Sequence, residues 1–260
     1  LRVVTTDATT LAMLKRYINK GLHDLHIQKN WPWAERRAVL NTNAAYTTGT
    51  VLIALATRTT VTGVGTLWNT AVTGMGFNNT RVGGKMQFAG DSEVYEVSAV
   101  GSDTSITLVN RYIATTALSA AAYSYFEDEY ALASDFWRTL DIRKFNDDLP
   151  VTIMSRMDFY RHYPRNSVTG KPRVCSLLEL GPSGSVAGQP RVVFHPVPNL
   201  VYNIPYRYIT SNLAVSSAGV GAANLSADTD EPIIPLRYRH VLIFYAISQW
   251  YRDRKDDARS

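Results

Sequence analysis

A catalytic or metal site in this chain would have to come from five histidines, one cysteine and a few clustered carboxylates. His23 and His26 stand three apart, a spacing that brings two imidazoles to one helix face and can bind a metal. No cysteine or carboxylate pair completes such a site, so both are expected to face solvent or an interface. His195 sits in Phe194-His195-Pro196-Val197-Pro198, where prolines end a strand, and reads as structural. Cys175 has no His/Asn partner set and reads as a small buried residue in a strand. Asp91/Glu93 and Glu127/Asp128/Glu129 are carboxylate clusters, but nothing holds a pair across a sugar ring, so turn or edge-strand charges are expected. The run from Gly181 to Gly188 contains no lysine and is not a phosphate loop. Gly63-Val64-Gly65 lies between strand-like runs and reads as a turn. The sequence thus offers no catalytic, cofactor-binding or metal-ligating set.

Charge offers a different chemistry. From Trp137 to Arg173, eight cations (Arg138, Arg143, Lys144, Arg156, Arg161, Arg165, Lys171, Arg173) face four aspartates. Interleaved with Tyr160, His162 and Tyr163, the arginines Arg156, Arg161 and Arg165 are candidates for contact with a DNA backbone. A solvated or subunit-facing surface explains the same pattern. Over the whole chain of 260 residues the net charge is +5, too weak for a dedicated nucleic-acid binder. Apolar residues at 45% and charged residues at 19% fit a globular protein with a sizeable core. The single cysteine excludes an internal disulfide, and neither a signal peptide nor a membrane-spanning run is visible.

The elements that must position these residues alternate in kind. Leu11, Leu14, Ile18, Leu22 and Leu25 recur at helical steps, which predicts a helix over 8–30, capped near Asp7 and ended by Asn30-Trp31-Pro32-Trp33. The two tryptophans are expected to plug a junction. Near Tyr46 the composition turns rich in Thr, Val and Gly. Short alternating runs (Gly49–Ala54, Thr59–Val64, Arg81–Phe88, Glu93–Val100, Ser105–Leu108, Tyr123–Phe126) predict a small antiparallel sandwich or barrel. A second β region follows, interrupted by a short helix over Met154–Tyr163 with Ser155 as its cap. Residues 214–227 read as a flexible loop. Pro235–Arg254 is the strongest helix signal, with Pro235 at its first position and apolar residues on more than one face. Tyr238, Val241, Leu242 and Tyr245 follow one side; Ile243, Phe244, Ile247, Trp250 and Tyr251 populate another.

The fold class expected is α+β. A helical base (1–44 plus 214–260) carries an inserted all-β module (45–126) and a second β region (127–213). The terminal helices pair through Leu11, Leu14, Ile18, Leu22, Val241, Leu242, Phe244, Tyr245 and Trp250, which serve helix packing or ring contacts.

The motif order resembles that of the head–tail adaptor proteins of tailed bacteriophages. Tyr130-Ala131-Leu132-Ala133-Ser134-Asp135-Phe136 is similar to their Y-x-L-P-S-D-F opening, with Ala133 in place of the proline. Gly170-Lys171-Pro172-Arg173 matches their G-x-P step, Phe194–Pro198 their l-x-P-x-P strand end, and Tyr206-Arg207-Tyr208 the strand after it. The run from Pro235 to Asp257 resembles their terminal helix with its Lys-Asp ending. Thr60–Trp68 and Asp91–Val100 look like a β domain often inserted in such proteins. The resemblance implies a non-enzymatic virion protein at the head–tail junction, assembled in the host cytoplasm. It also implies a homo-oligomeric ring, commonly of roughly twelve copies, beneath the portal protein. The ring would bind a downstream tail or nozzle protein and let DNA pass nonspecifically through its channel, with no cofactor and no membrane. By the same resemblance Arg252, Arg254, Lys255, Asp256 and Asp257 are candidate portal contacts. A second reading is a phage tail β protein that binds a receptor or cell-surface carbohydrate, with Tyr95, Trp68 and Tyr112 as its aromatic platform.

Overall fold

The computed structural model of the chain describes residues 8–74, 76–142, 150–164, 168–179 and 190–257; the side chains of residues 8, 179 and 254–257 fall outside it. Asp7, Arg143, Lys144, Arg165 and the glycine-rich run 181–189 therefore lie outside the described residues.

In chain order, helix α1 (Ala8–Gln28) leads through a 3-10 turn (Pro32–Ala34) to β1 (Glu35–Asn41). Next come β2 (Thr50–Ile53), β3 (Thr60–Val64), β4 (Lys85–Phe88), β5 (Val94–Ser102), β6 (Ser105–Leu108), β7 (Leu118–Ala121) and β8 (Tyr123–Phe126). The second β region contains β9 (Glu129–Ala131), β10 (Phe136–Ile142), β11 (Thr152–Met154), helix α2 (Arg156–His162), β12 (Thr169–Gly170), β13 (Val174–Glu179), β14 (Pro190–His195), β15 (Val197–Pro198) and β16 (Asn203–Thr210). The chain ends its described course with β17 (Ala214–Val215), β18 (Gly221–Ala222), β19 (Glu231–Pro232), a 3-10 turn (Leu236–Tyr238) and helix α3 (His240–Asp257). The fold is mixed helix and sheet, mostly β. Two compact units divide it: Leu1–Arg37 with Asp135–Leu140 and Arg207–Ser260, and Ala38–Ser134 with Asp141–Tyr206.

The second unit holds the inserted β module. Its sheet runs β7-β2-β3-β6-β5-β4-β8, antiparallel throughout. The two end strands are consecutive in sequence and separated only by Ala122. One bent stretch of chain therefore supplies both end strands, and the sheet curls round into a barrel-like form. Register shifts in β5, between Val97 and Ala99 and between Val100 and Ser102, help the sheet curl. Alternate strand positions point inward, as in β2, β4 and β6, so Val51, Ile53, Met86, Phe88, Ile106 and Leu108 meet in one core. Trp68 is fully buried there, and its Nε1 donates to Tyr123 Oη at 2.8 Å.

In the same unit β11, β13, β14 and β9 form a four-stranded sheet, with β11 parallel to β13 and the other pairs antiparallel. α2 lies on it through Phe159, which is fully buried against Leu178 and Val193. Ser155 caps this helix as expected, its Oγ accepting from the Asp158 backbone N–H at 3.2 Å.

The first unit contains the two long helices. Leu22 and Leu242 join Leu213 and Ile234 in its core, with Ile18, Leu25, Trp33 and Leu225 packed around them. Residues 214–227, expected to be a flexible loop, are instead tied down. The strands β18, β17 and β19 pair antiparallel, and Asn19 of α1 holds Leu225 by both its backbone N–H (2.9 Å) and its carbonyl (2.9 Å). A polar side chain distant in sequence supplies the order that local composition argued against. Pro235 is also corrected: it precedes the 3-10 turn, and α3 begins only at His240. Asp228 pairs with Lys15 at 2.5 Å, and Asp230 accepts from the backbone of Ser226 and Ala227, which holds its carboxyl below the usual range.

Candidate interaction surfaces

α1 and α3 run antiparallel, clasped by a reciprocal pair of tyrosine–carboxylate hydrogen bonds. The Tyr17 hydroxyl donates to Asp253, and the Tyr245 hydroxyl donates to Asp24. Between the clasps Gly21 of α1 meets the ring of Tyr245, where a Cβ would come within 2.8 Å of Cδ1. The glycine that weakens the helix locally is thus what lets the two helices approach. On α3 the stripe Leu242, Ala246 and Gln249 is buried, at the spacing of one helical face.

The opposite face of α3 is apolar and open. Ile243 (58% exposed), Phe244 (68%), Ile247 (40%) and Tyr251 (53%) share this side of the helix, with Ile247 three residues after Phe244, four after Ile243 and four before Tyr251. Soluble surfaces scatter such residues singly; a continuous stripe marks a contact site. The nine residues expected in helix packing or ring contacts therefore divide. Leu22 and Leu242 are core, Leu14, Ile18, Tyr245 and Trp250 are half-buried, and Leu11, Val241 and Phe244 are exposed. At the end of α3 Arg252 is exposed, while the side chains of Arg254, Lys255, Asp256 and Asp257 lie outside the described residues.

α2 presents a second surface. With Phe159 buried beneath, Arg156, Met157, Tyr160 and Arg161 are exposed on its outer side. Two of the three arginines proposed to face DNA are thus on one short helix; Arg165 lies outside the described residues.

The carboxylates at 127–129 fall on and between the end strands β8 and β9, as expected of turn or edge charges, but they are also the acids of a largely buried ion-pair network where the barrel meets the sheet of β9. Glu127, 5% exposed, takes both forks of the Arg81 guanidinium and the Tyr125 hydroxyl at 2.6 Å. Asp128 accepts from Lys85 at 2.7 Å, and Glu129 stands 3.7 Å from Lys85 and 3.6 Å from Arg191. Burial alone would lower the Lys85 ammonium, but Asp128 and Glu129 outweigh it and hold it above its ordinary value. Burial pushes the Glu129 carboxyl up, and Lys85 and Arg191 offset this only in part. Burial, aided by Glu127, raises the Tyr125 phenol far out of its normal range. Each acid has a cation, which ties the strands together, and Glu127 and Glu129 also line a polar cavity of about 240 Å³ with Arg81, Tyr130 and Arg191.

His26 is likewise not at a surface. It is 6% exposed and stacks on Trp137 with ring centroids 4.4 Å apart; burial lowers its pKa. His23 is exposed. His195 stacks on Tyr163 at 3.7 Å. Cys175 is fully buried in β13, its thiol pushed up to about 12 by desolvation. Asp91 serves its turn, accepting from the Glu93 backbone at 2.9 Å and from the Tyr95 hydroxyl at 2.8 Å. Trp68, Tyr95 and Tyr112, the candidate sugar platform, are 0%, 3% and 3% exposed and belong to the barrel core. Among the described residues no group of three or more His, Cys, Asp or Glu side chains is placed to hold a metal ion, and no helix is long and apolar enough to cross a membrane.

Trp31 and Trp33 were expected to plug a junction. They are half-buried and stack on each other with centroids 4.4 Å apart, forming one wall of an apolar groove in the first unit. Its other wall comes from Ile234, Tyr238 and Val241, some 200 positions later. Local spacing carries no trace of that groove. The open face of α3 did have a signal, because its apolar residues outnumber what one packed face can bury. Comparison of the chain with protein-family models, curated proteins and solved structures finds no match.

Proposed function

We propose that this chain is a structural, non-catalytic head-to-tail adaptor of a tailed bacteriophage. Its copies form a ring below the portal, join the portal to a tail or nozzle protein, and line the channel through which DNA leaves the head. The motif order described above motivates the reading. The observation that carries it is the open face of α3, Ile243, Phe244, Ile247 and Tyr251, which lies opposite the stripe packed on α1. In this reading α1 and α3 are the helical base of the ring, and that face is covered by the neighbouring copy. The basic side of α2, with Arg156 and Arg161, meets the DNA backbone through sequence-independent, salt-sensitive contacts. Arg252 and the last turn of α3 contact the portal. The ion-paired barrel is a docking module, not a hydrolase.

Native mass spectrometry and particle imaging of the protein, alone and with portal, test this. The wild type should form a closed ring with portal. Ile243→Lys/Ile247→Lys, both at exposed positions, should leave a folded chain that no longer closes the ring. A wild-type monomer that ignores portal yet binds glycan overturns the proposal, as does a double variant that assembles like wild type.

A further inference from the structure

The groove beside Trp31 and Trp33 is distinct from the open face of α3 and has a charge character of its own. It encloses about 430 Å³, enough for one or two large side chains. Its walls are fixed before any partner arrives. Ala34, closing the 3-10 turn, is fully buried and its N–H donates to Trp31 O at 3.0 Å. Trp31 Nε1 donates to Leu25 O at 2.6 Å, and Tyr238 leans on Trp33 with centroids 5.8 Å apart. The lining therefore offers mostly ring and aliphatic surface.

Two cations flank it. Lys29 Nζ lies 3.9 Å over the Trp31 ring, and Arg237 Cζ lies 4.8 Å over Tyr238. Both side chains are exposed, and among the described residues neither has a carboxylate partner. This local excess matches the whole unit. The first unit carries fifteen lysines and arginines against ten acids, the second twelve against twelve, so the entire net charge of +5 falls on the unit with the groove. A second copy of the same basic unit is a poor occupant, because a symmetric contact would bring Lys29 and Arg237 toward their own images. A bilayer suits a convex apolar face better than a walled groove.

We propose that this groove is a docking site for a segment of another protein that seats a large apolar side chain against Trp31, Trp33 and Tyr238 and sets acidic residues beside Lys29 and Arg237. The aromatic walls supply burial, and the two flanking cations choose the sign of the flanking charge. The inference stands apart from the ring reading, since it uses neither the open face of α3 nor a portal.

The test is selection from a displayed library of random peptides about twelve residues long against the full chain, followed by anisotropy on selected peptides. Selected binders should carry an aromatic or leucine core with acidic flanks, and should bind about tenfold or more tighter than lysine-flanked twins at low salt. Lys29→Glu/Arg237→Glu, at exposed positions that leave the fold intact, should reverse that preference. Trp33→Ala should abolish binding of both. A selected pool without acidic bias, an unchanged preference in the charge-reversed variant, no selected binder at all, or binding only to phosphatidylserine vesicles each overturns the proposal. None of these outcomes alters ring assembly, so the two readings fail separately.

Discussion

Replacing Gly21 by alanine sets two well-known effects against each other. Inside a helix, alanine is favoured over glycine by about 1 kcal/mol. At this position, however, the new methyl would sit 2.8 Å from Tyr245 Cδ1 and 3.1 Å from Cγ. Ordinary contact requires the ring or the helix to retreat by roughly 0.7 Å. The ring cannot slide freely, because its hydroxyl is held by Asp24, three residues beyond Gly21 on the same helix. Overpacking of this kind costs about 1–3 kcal/mol, and loosening the Tyr245–Asp24 bond adds about 1 kcal/mol. The steric side wins, and Gly21→Ala should destabilise the chain by about 1–3 kcal/mol despite the better helix former. In a Tyr245→Ala background the clash is gone, so the same substitution should stabilise by about 1 kcal/mol. Urea unfolding followed by far-ultraviolet circular dichroism reads both values as midpoint shifts at constant slope. A stabilising Gly21→Ala in the otherwise wild-type chain, or the same sign in both backgrounds, would refute the reasoning.

Three further outcomes are expected. Burial lowers the pKa of His26, so the unfolded state binds its proton more readily; stability should be full above about pH 6.5 and fall as pH drops below it. Thermal melts between pH 8 and 5 should show this slope, and His26→Phe should flatten it if the imidazole is its source. Glu127→Ala leaves Arg81 and Tyr125 without their acceptor and should cost about 3 kcal/mol by denaturant titration, whereas Arg81→Met/Glu127→Leu should recover most of the loss. Ala120, with φ of 47°, holds a left-handed conformation in β7; Ala120→Gly should raise the unfolding free energy by about 0.5 kcal/mol, read by denaturant titration.

The helices were legible because each carries a periodic stripe that needs cover, and α1 and α3 follow Leu11–Leu25 and the run after Pro235 closely. Most barrel strands were legible from alternation broken by glycine. β7, with its low-contrast Leu118–Ala121, was not, and without it the choice between sandwich and barrel stayed open. The order of residues 214–227 was hidden too, since two hydrogen bonds from Asn19 create it and no local pattern encodes them. The burial of Glu127 and His26 was equally invisible. A charged or titratable side chain enters a core only when partners arrive from other strands, and those partners are chosen by the fold.

By itself the sequence determined the kinds of element, their order, and the surplus of apolar residues on α3. Tertiary structure decided which of those residues are covered, turned three carboxylates into an ion-paired joint, and brought Trp31, Trp33 and Tyr238 around one groove. Periodicity is a property of neighbours a few residues apart, and sequence displays it. Burial and charge pairing belong to residues tens to hundreds of positions apart, and only the folded chain sets them side by side.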